Sequence, residues 1–144
     1  MTSRSSAIAF VVAALAIGAL ATPVAHADQV VGELTGFTSP SGNIGCMIDT
    51  LQVRCDIRER DWAPPPRPAD CEFDYGQGIT LGPGRSPGFV CAGDTALAGG
   101  PPLRYGESIS AGVLRCTSTA SAMTCTDTAT GHGFSIARQG YQFF

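Results

Sequence analysis

The chain contains no lysine, although it carries nine arginines and twelve acidic residues. Its formal net charge is −3 at pH 7, and the arginines form no basic stripe. Proteins that bind nucleic acids present a basic patch or stripe on one face. We therefore expect no nucleic-acid partner.

The sequence also lacks any C-x-x-C pair, although it has six cysteines: Cys46, Cys55, Cys71, Cys91, Cys116 and Cys125. Structural zinc sites and thioredoxin-type redox sites use such closely spaced pairs. Only one histidine, His132, follows residue 27. We therefore expect no metal ion and no other cofactor.

Beyond residue 27 there is no apolar repeat of helical period and no apolar run that approaches the roughly 20 residues of a membrane-spanning helix. Eighteen glycines and ten prolines separate short stretches in which apolar and polar residues alternate. These features predict an all-β domain built from antiparallel hairpins. A small sandwich and a partly open barrel both fit the pattern.

The first 27 residues have the three-part layout of a secretory signal peptide. Arg4 is the only charge before Asp28, an apolar run extends from Ala7 to Ala21, and "AHA" supplies small residues for cleavage. We expect cleavage between Ala27 and Asp28. A single domain, 28–144, would remain, with eight arginines against twelve acids and no membrane span.

The stretch "CMIDTLQVRC" predicts a disulfide-linked hairpin. If the chain turns at Thr50-Leu51, Cys46 faces Cys55, and both point to the same side as the alternating isoleucines and valine around them. Opposed residues of a non-hydrogen-bonded antiparallel pair have Cα atoms about 4.5 Å apart, which suits a disulfide. The turn lacks an Asn-Gly signature, so a longer loop was also compatible with the sequence.

A second stretch, "CTSTASAMTC", follows the same rule and pairs Cys116 with Cys125 around Ala120-Ser121. Cys71 and Cys91 then remain for each other. An even number of cysteines in a small exported chain indicates a disulfide framework. We therefore expect three disulfides and a location that is secreted, extracellular or retained in the cell envelope.

The remaining segments predict one strand before "SPSGN", a three-strand meander after residue 107, and terminal phenylalanines packed under the sheet. "APPPRP" favours an extended polyproline segment. Trp62 precedes it, and two interpretations arise: the indole plugs one end of the core, or it forms an aromatic contact surface. The first is the simpler and is favoured here.

Short patterns occur at Ser39 to Cys46, Tyr105-Gly106, Cys116 and Cys125, Thr130 to Phe134, Arg138 and Tyr141. Together they resemble those of a family of small secreted actinobacterial, notably mycobacterial, proteins of unknown function. Ala122 departs from the pattern, which has glycine before the second cysteine. The resemblance implies an exported domain and assigns no catalytic residue.

Two functional hypotheses follow. Aromatic side chains near loops suit contacts with glycans or protein partners, so Trp62, Tyr75, Tyr105 and His132 are candidate binding residues. A cell-wall component or an extracellular protein would be the partner of such a binding or structural module. The alternative is a small secreted hydrolase that uses His132. This requires a serine and an aspartate within hydrogen-bond reach of the imidazole, whereas the sequence has no G-x-S-x-G elbow.

Overall fold

The computed structural model of the protein describes Gly18 and residues 27–144. The expected signal peptide therefore lies outside the described residues, apart from Gly18 and Ala27, and its cleavage stays a prediction. Among the described residues, no helix is long and apolar enough to cross a membrane.

The described residues form eleven β-strands and no helix. The strands are β1 (Asp28–Val30), β2 (Thr35–Thr38), β3 (Ile44–Ile48), β4 (Val53–Ile57), β5 (Tyr75–Leu81), β6 (Gly88–Cys91), β7 (Ser108–Ala111), β8 (Leu114–Ser118), β9 (Met123–Asp127), β10 (Gly133–Ala137) and β11 (Gly140–Phe143). The all-β prediction is confirmed.

The strands form two sheets that pack as a sandwich, not as a closed barrel. One sheet has the order β2-β3-β4-β5-β6, and the other has the order β1-β7-β8-β9-β10-β11. Neighbouring strands are antiparallel except for β1, which runs parallel to β7. Each sheet is thus mainly a meander, which short turns between consecutive strands favour.

Three details of the sequence prediction are wrong. The start of the domain forms two strands, β1 and β2, which belong to different sheets. The expected three-strand meander has four strands, because Gly112 at φ +58° permits a tight turn that splits "SISAGVLRCTST" into β7 and β8, and the terminal segment adds β11 as a fifth. The terminal phenylalanines do not lie under the sheet: Phe143 is 40% exposed and Phe144 50% exposed.

The two short-spaced disulfides lie at the centre of the sandwich. Cys46 is opposite Cys55 in β3 and β4, and Cys116 is opposite Cys125 in β8 and β9. Both pairs have a Cα–Cα distance of 4.1 Å, and all four residues are fully buried. The Sγ atoms of Cys55 and Cys125 are 3.8 Å apart, so the two disulfides face each other across the sheets.

The third disulfide has a different environment. It joins Cys71, in the loop before β5, to Cys91 at the end of β6. Cys71 is buried, but Cys91 is exposed. All three pairs are those expected from the sequence, and such a framework is typical of proteins in oxidising, extracellular compartments.

Residues 92–102 form a loop that covers the outer face of the β2-β3-β4 region. A Cβ atom at Gly36 or Gly45 would collide with the backbone of this loop. Asp56, on the outer face of β4, is fully buried and accepts a hydrogen bond from Ala96 N at 3.0 Å. Arg54 donates Nε and Nη2 to the same carboxylate at 2.8 and 2.7 Å. Asp56 thus holds the loop through the N–H of Ala96. The Arg54 guanidinium balances the buried charge of this carboxylate.

Asp127 links two turns at one end of the sandwich, which we call the distal end. Its buried carboxylate accepts hydrogen bonds from Gly84 N at 2.7 Å and Ala129 N at 2.8 Å. These N–H groups, with Gly84 contributing most, hold the pKa of Asp127 below its ordinary value. The opposite end carries the turns at 39–43, 119–122 and 138–139, and we call it the groove end.

Candidate binding groove at the groove end

The turn "SPSGN" between β2 and β3 is closed by Ser39. Its backbone N donates to Ile44 O at 2.8 Å, and its hydroxyl accepts from Ile44 N at 3.1 Å. Gly42 has φ +73°, a conformation that glycine adopts without a steric penalty. The serine and the glycine therefore set the shape of this turn.

The next residue, Asn43, fastens the turn to the chain that leaves β4. Its Nδ2 donates to Glu59 O at 2.9 Å, and its Oδ1 accepts from Glu59 N at 2.8 Å. A side-chain amide with one acceptor and two donors can imitate a backbone peptide in this way. Asn43 thereby extends the pairing of β3 and β4 beyond the strands.

The opposite wall is the turn between β8 and β9. Thr119 N donates to Ala122 O at 3.0 Å, and the Thr119 hydroxyl contacts the Ser121 hydroxyl at 3.1 Å. Gln139, from the β10–β11 turn, donates Nε2 to Ser121 O at 3.1 Å. The β8–β9 turn and the β10–β11 turn are therefore joined by a side-chain hydrogen bond.

Between these walls lies a depression of about 140 Å³, and two further depressions, of about 430 and 410 Å³, share lining residues with it; we call the three together the groove. Tyr105, which is 56% exposed, borders the smallest depression. Half of the residues that line it are hydroxylic or amidic, namely Ser39, Ser41, Asn43, Ser118, Thr119, Ser121 and Gln139, and the apolar ones are Ile44, Ala120, Ala122, Met123 and Ala137. The groove therefore offers many short, fixed hydrogen-bonding groups beside one aromatic ring.

Charged side chains are few around the smallest depression, whereas Arg58, Glu59 and Arg138 line the depression of about 410 Å³. Among the residues that the structure describes, Arg138 is the only ionisable side chain other than Tyr105 around the smallest depression. Its Nη1 is 3.3 Å from Glu59 Oε2, and its Nε is 3.6 Å from Asp61 Oδ1. These ion pairs are exposed, so they hold the guanidinium weakly, and a polar ligand could compete for it.

Trp62 and Tyr75 lie outside the groove, on the side of the sandwich where the edge strands β6 and β11 meet. The Trp62 indole donates Nε1 to Ala137 O at 2.8 Å, and the Arg60 guanidinium lies 4.7 Å from its ring centre. Burial lowers the pKa of Arg60. Because the indole N–H and one ring face are already occupied, the structure favours the first interpretation of Trp62, a plug at the margin of the core.

This plug belongs to a cluster that we call the aromatic seam: Trp62, Tyr75, Phe89, Tyr141 and Phe143. Phe89 of β6 and Tyr141 of β11 have ring centroids 5.0 Å apart, and Tyr141 is 4.7 Å from Trp62. The seam joins the edge strands of the two sheets. The places of Phe89 and Phe143 in this cluster could not be predicted from the sequence, because their contact depends on how the sheets are stacked.

His132 lies at the distal end, in the turn between β9 and β10. The residue is exposed, and no side chain in the described part of the chain is hydrogen-bonded to its imidazole. Its backbone carbonyl accepts from Asp127 N at 2.8 Å. The four candidate binding residues thus divide among three places, and only Trp62 and Tyr75 share a cluster.

Within residues 27–144, no group of three or more histidines, cysteines, aspartates or glutamates could hold a metal ion. Of the sequence candidates, only Tyr105 borders the groove; Ser39, Ser41, Asn43, Arg138 and Gln139 were not among them. One signal was available, because three of the resemblance patterns, at Ser39, Tyr105 and Arg138, converge on this groove.

Comparison with known proteins gave one assignment. The chain matches no curated protein and no solved structure. A family of unknown function, DUF6636, matches residues 13–144, which include every strand and all three disulfides. The chain therefore belongs to the DUF6636 family of unknown function.

Proposed function

We propose that the protein is an exported binding module and that its groove holds a saccharide of the cell envelope. The three disulfides and the resemblance to small secreted actinobacterial proteins support export. The observation that carries the binding proposal is the groove itself. Fixed hydroxyl and amide groups line its smallest depression, and the exposed ring of Tyr105 borders that depression.

The chemistry of the groove suits a polyhydroxylated ligand. Each serine or threonine hydroxyl can donate one hydrogen bond and accept two, so Ser41 and Ser121 keep capacity beyond the contacts within their turns. An exposed aromatic ring supplies an apolar face beside a polar handle. Arg138 adds donors that would bind a sugar hydroxyl or an acidic substituent.

The same groove is already shaped before a ligand arrives. Its walls are held by Asn43 against Glu59 and by Gln139 against Ser121. A preformed site avoids much of the entropy cost of ordering side chains on binding. The hydrolase alternative lacks comparable support, because His132 is exposed at the distal end.

The test is a saccharide array of cell-envelope fragments, followed by calorimetry with the oxidised domain, residues 28–144. We expect Tyr105→Ala and Arg138→Gln each to weaken binding by about tenfold or more, the size of effect that marks a central interface residue. Arg85→Gln is the matched control, because Arg85 is exposed in the β5–β6 turn at the distal end.

Two results would contradict the proposal. One is a folded domain that binds none of the saccharides. The other is binding that Tyr105→Ala and Arg138→Gln leave unchanged, which would move the site away from the groove.

A further inference from the structure

The segment 63–68, "APPPRP", forms a projecting ridge that none of the preceding roles uses. Ala63 and residues 65–68 are exposed, and Pro64 is half-buried. The segment has neither helix nor strand structure. Its backbone makes one hydrogen bond to the rest of the described chain, in which Pro68 O accepts from Cys71 N at 3.1 Å.

The conformation of this ridge follows from its residues. Proline fixes φ near −65°, and a residue that precedes proline is pushed into the extended or polyproline II region. Pro64 and Pro65 meet both conditions, and Ala63 and Arg67 meet the second. All peptide bonds among the described residues are trans. These restrictions favour a short polyproline II conformation for the ridge, in which the backbone is solvated.

Both ends of the ridge are anchored. At the start, Trp62 is held by Ala137 O, and the Pro64 ring packs so closely on Gly76 that a Cβ there would collide with it. At the end, Cys71 is tied to Cys91 by a disulfide. Two fixed ends reduce the conformational freedom that a partner would otherwise have to remove.

We propose that residues 63–68 are a docking ridge for a protein partner that has an aromatic-lined groove with an acidic side chain beside it. Pro65 and Pro68 have the P-x-x-P spacing that such grooves recognise. Arg67 lies between them, is exposed, and makes no salt bridge to the residues that the structure describes.

The chemistry of the ridge argues for a protein and against a saccharide. Proline rings carry no donor, so they offer polyhydroxylated ligands few hydrogen bonds, whereas aromatic side chains pack well against them. The free guanidinium of Arg67 is complementary to a carboxylate in a partner. A second copy of this chain is a less suitable occupant, because the rings of its aromatic seam already pack on one another.

The experiment measures binding of the oxidised domain, residues 28–144, to a panel of purified SH3, WW and EVH1 domains, whose grooves are aromatic-lined. We expect a subset with acidic groove margins to bind. Pro65→Ala/Pro68→Ala and Arg67→Gln should each weaken that binding by about tenfold or more. The matched controls are Pro101→Ala/Pro102→Ala and Arg104→Gln, which alter exposed residues outside the ridge and should leave binding unchanged.

Three outcomes would overturn the proposal. The first is that no domain of the panel binds. The second is that the ridge variants, shown to be folded by near-ultraviolet circular dichroism, bind as well as the original protein. The third is that the protein dimerises in sedimentation and that the ridge variant abolishes the dimer. The last would make a second copy the occupant. None of these results bears on the saccharide groove, which the variants leave intact.

Discussion

The facing disulfides permit a test of whether chain entropy or burial dominates the stability of this domain. Cys46–Cys55 closes a sequence separation of 9, and Cys71–Cys91 closes one of 20. On the chain-entropy model these loops contribute about 2.6 and about 3.3 kcal/mol to the free energy of unfolding. Entropy alone therefore predicts that removal of Cys71–Cys91 is the more damaging change.

Burial acts in the opposite direction. Both Cys46 and Cys55 are fully buried, and Cys55 Sγ contacts Cys125 Sγ at 3.8 Å. Replacing each with alanine deletes a buried atom of about the size of a methyl group, which costs about 0.5–1.5 kcal/mol per site. Cys46→Ala/Cys55→Ala should thus lower the free energy of unfolding by about 4–6 kcal/mol in total. Cys71 is buried but Cys91 is exposed, so Cys71→Ala/Cys91→Ala carries this cost at one site only and should lower it by about 4–5 kcal/mol.

Guanidinium unfolding, followed by tryptophan fluorescence and with the other two disulfides verified by mass spectrometry, measures this difference. Cys116→Ala/Cys125→Ala is a matched control, because it has the same separation of 9 and the same full burial. Partial reduction provides a second readout: Cys71–Cys91 should be reduced first, since thiol attack requires access. The reasoning is refuted if Cys71→Ala/Cys91→Ala destabilises the domain more than both central pairs do, as chain entropy alone predicts.

Three further predictions concern single residues. Asp56→Ala should lower the free energy of unfolding by about 3–5 kcal/mol in urea titrations, because it leaves the largely buried Arg54 guanidinium without its main partner. Asp94→Ala, at an 82% exposed carboxylate of the same network, should lower it much less. Equal losses for the two variants would contradict this account. Because the pKa of Asp127 is lowered in the folded protein, its contribution to stability is complete above the unfolded pKa of about 3.9 and is lost as the pH falls through the folded value. Asp127→Asn should therefore flatten the acid limb of a stability–pH curve, and an unchanged limb would exclude Asp127 as its source. N-terminal sequencing of exported protein should begin at Asp28, the first residue of β1; a different start would place cleavage elsewhere.

The local features were predictable because they depend on neighbours in sequence. Side-chain alternation with period two placed Cys46 opposite Cys55 and Cys116 opposite Cys125, and the structure has both registers. Proline geometry in the same way predicted an extended segment before Cys71. Where a glycine at positive φ permits a tight turn, as at Gly112, the sequence pattern predicts one strand although the structure has two, β7 and β8.

The candidate groove could not be predicted in the same way. Ser39, Tyr105, Ser121 and Arg138 are separated by up to 99 positions in the sequence, and they meet only because their turns emerge at the same end of two stacked sheets. The aromatic seam has the same origin, since Phe89 and Tyr141 belong to edge strands of different sheets.

The sequence by itself determined the strand pairing of the two disulfide-linked hairpins, the disulfides and the all-β class, because alternation and cysteine spacing act over about ten residues. Only the tertiary structure decided between sandwich and barrel, brought the two central disulfides into contact, and formed the groove. The physical reason is that burial rewards any close stacking of two apolar sheet faces, whereas the relative placement of the sheets is set by packing between residues that are distant along the chain.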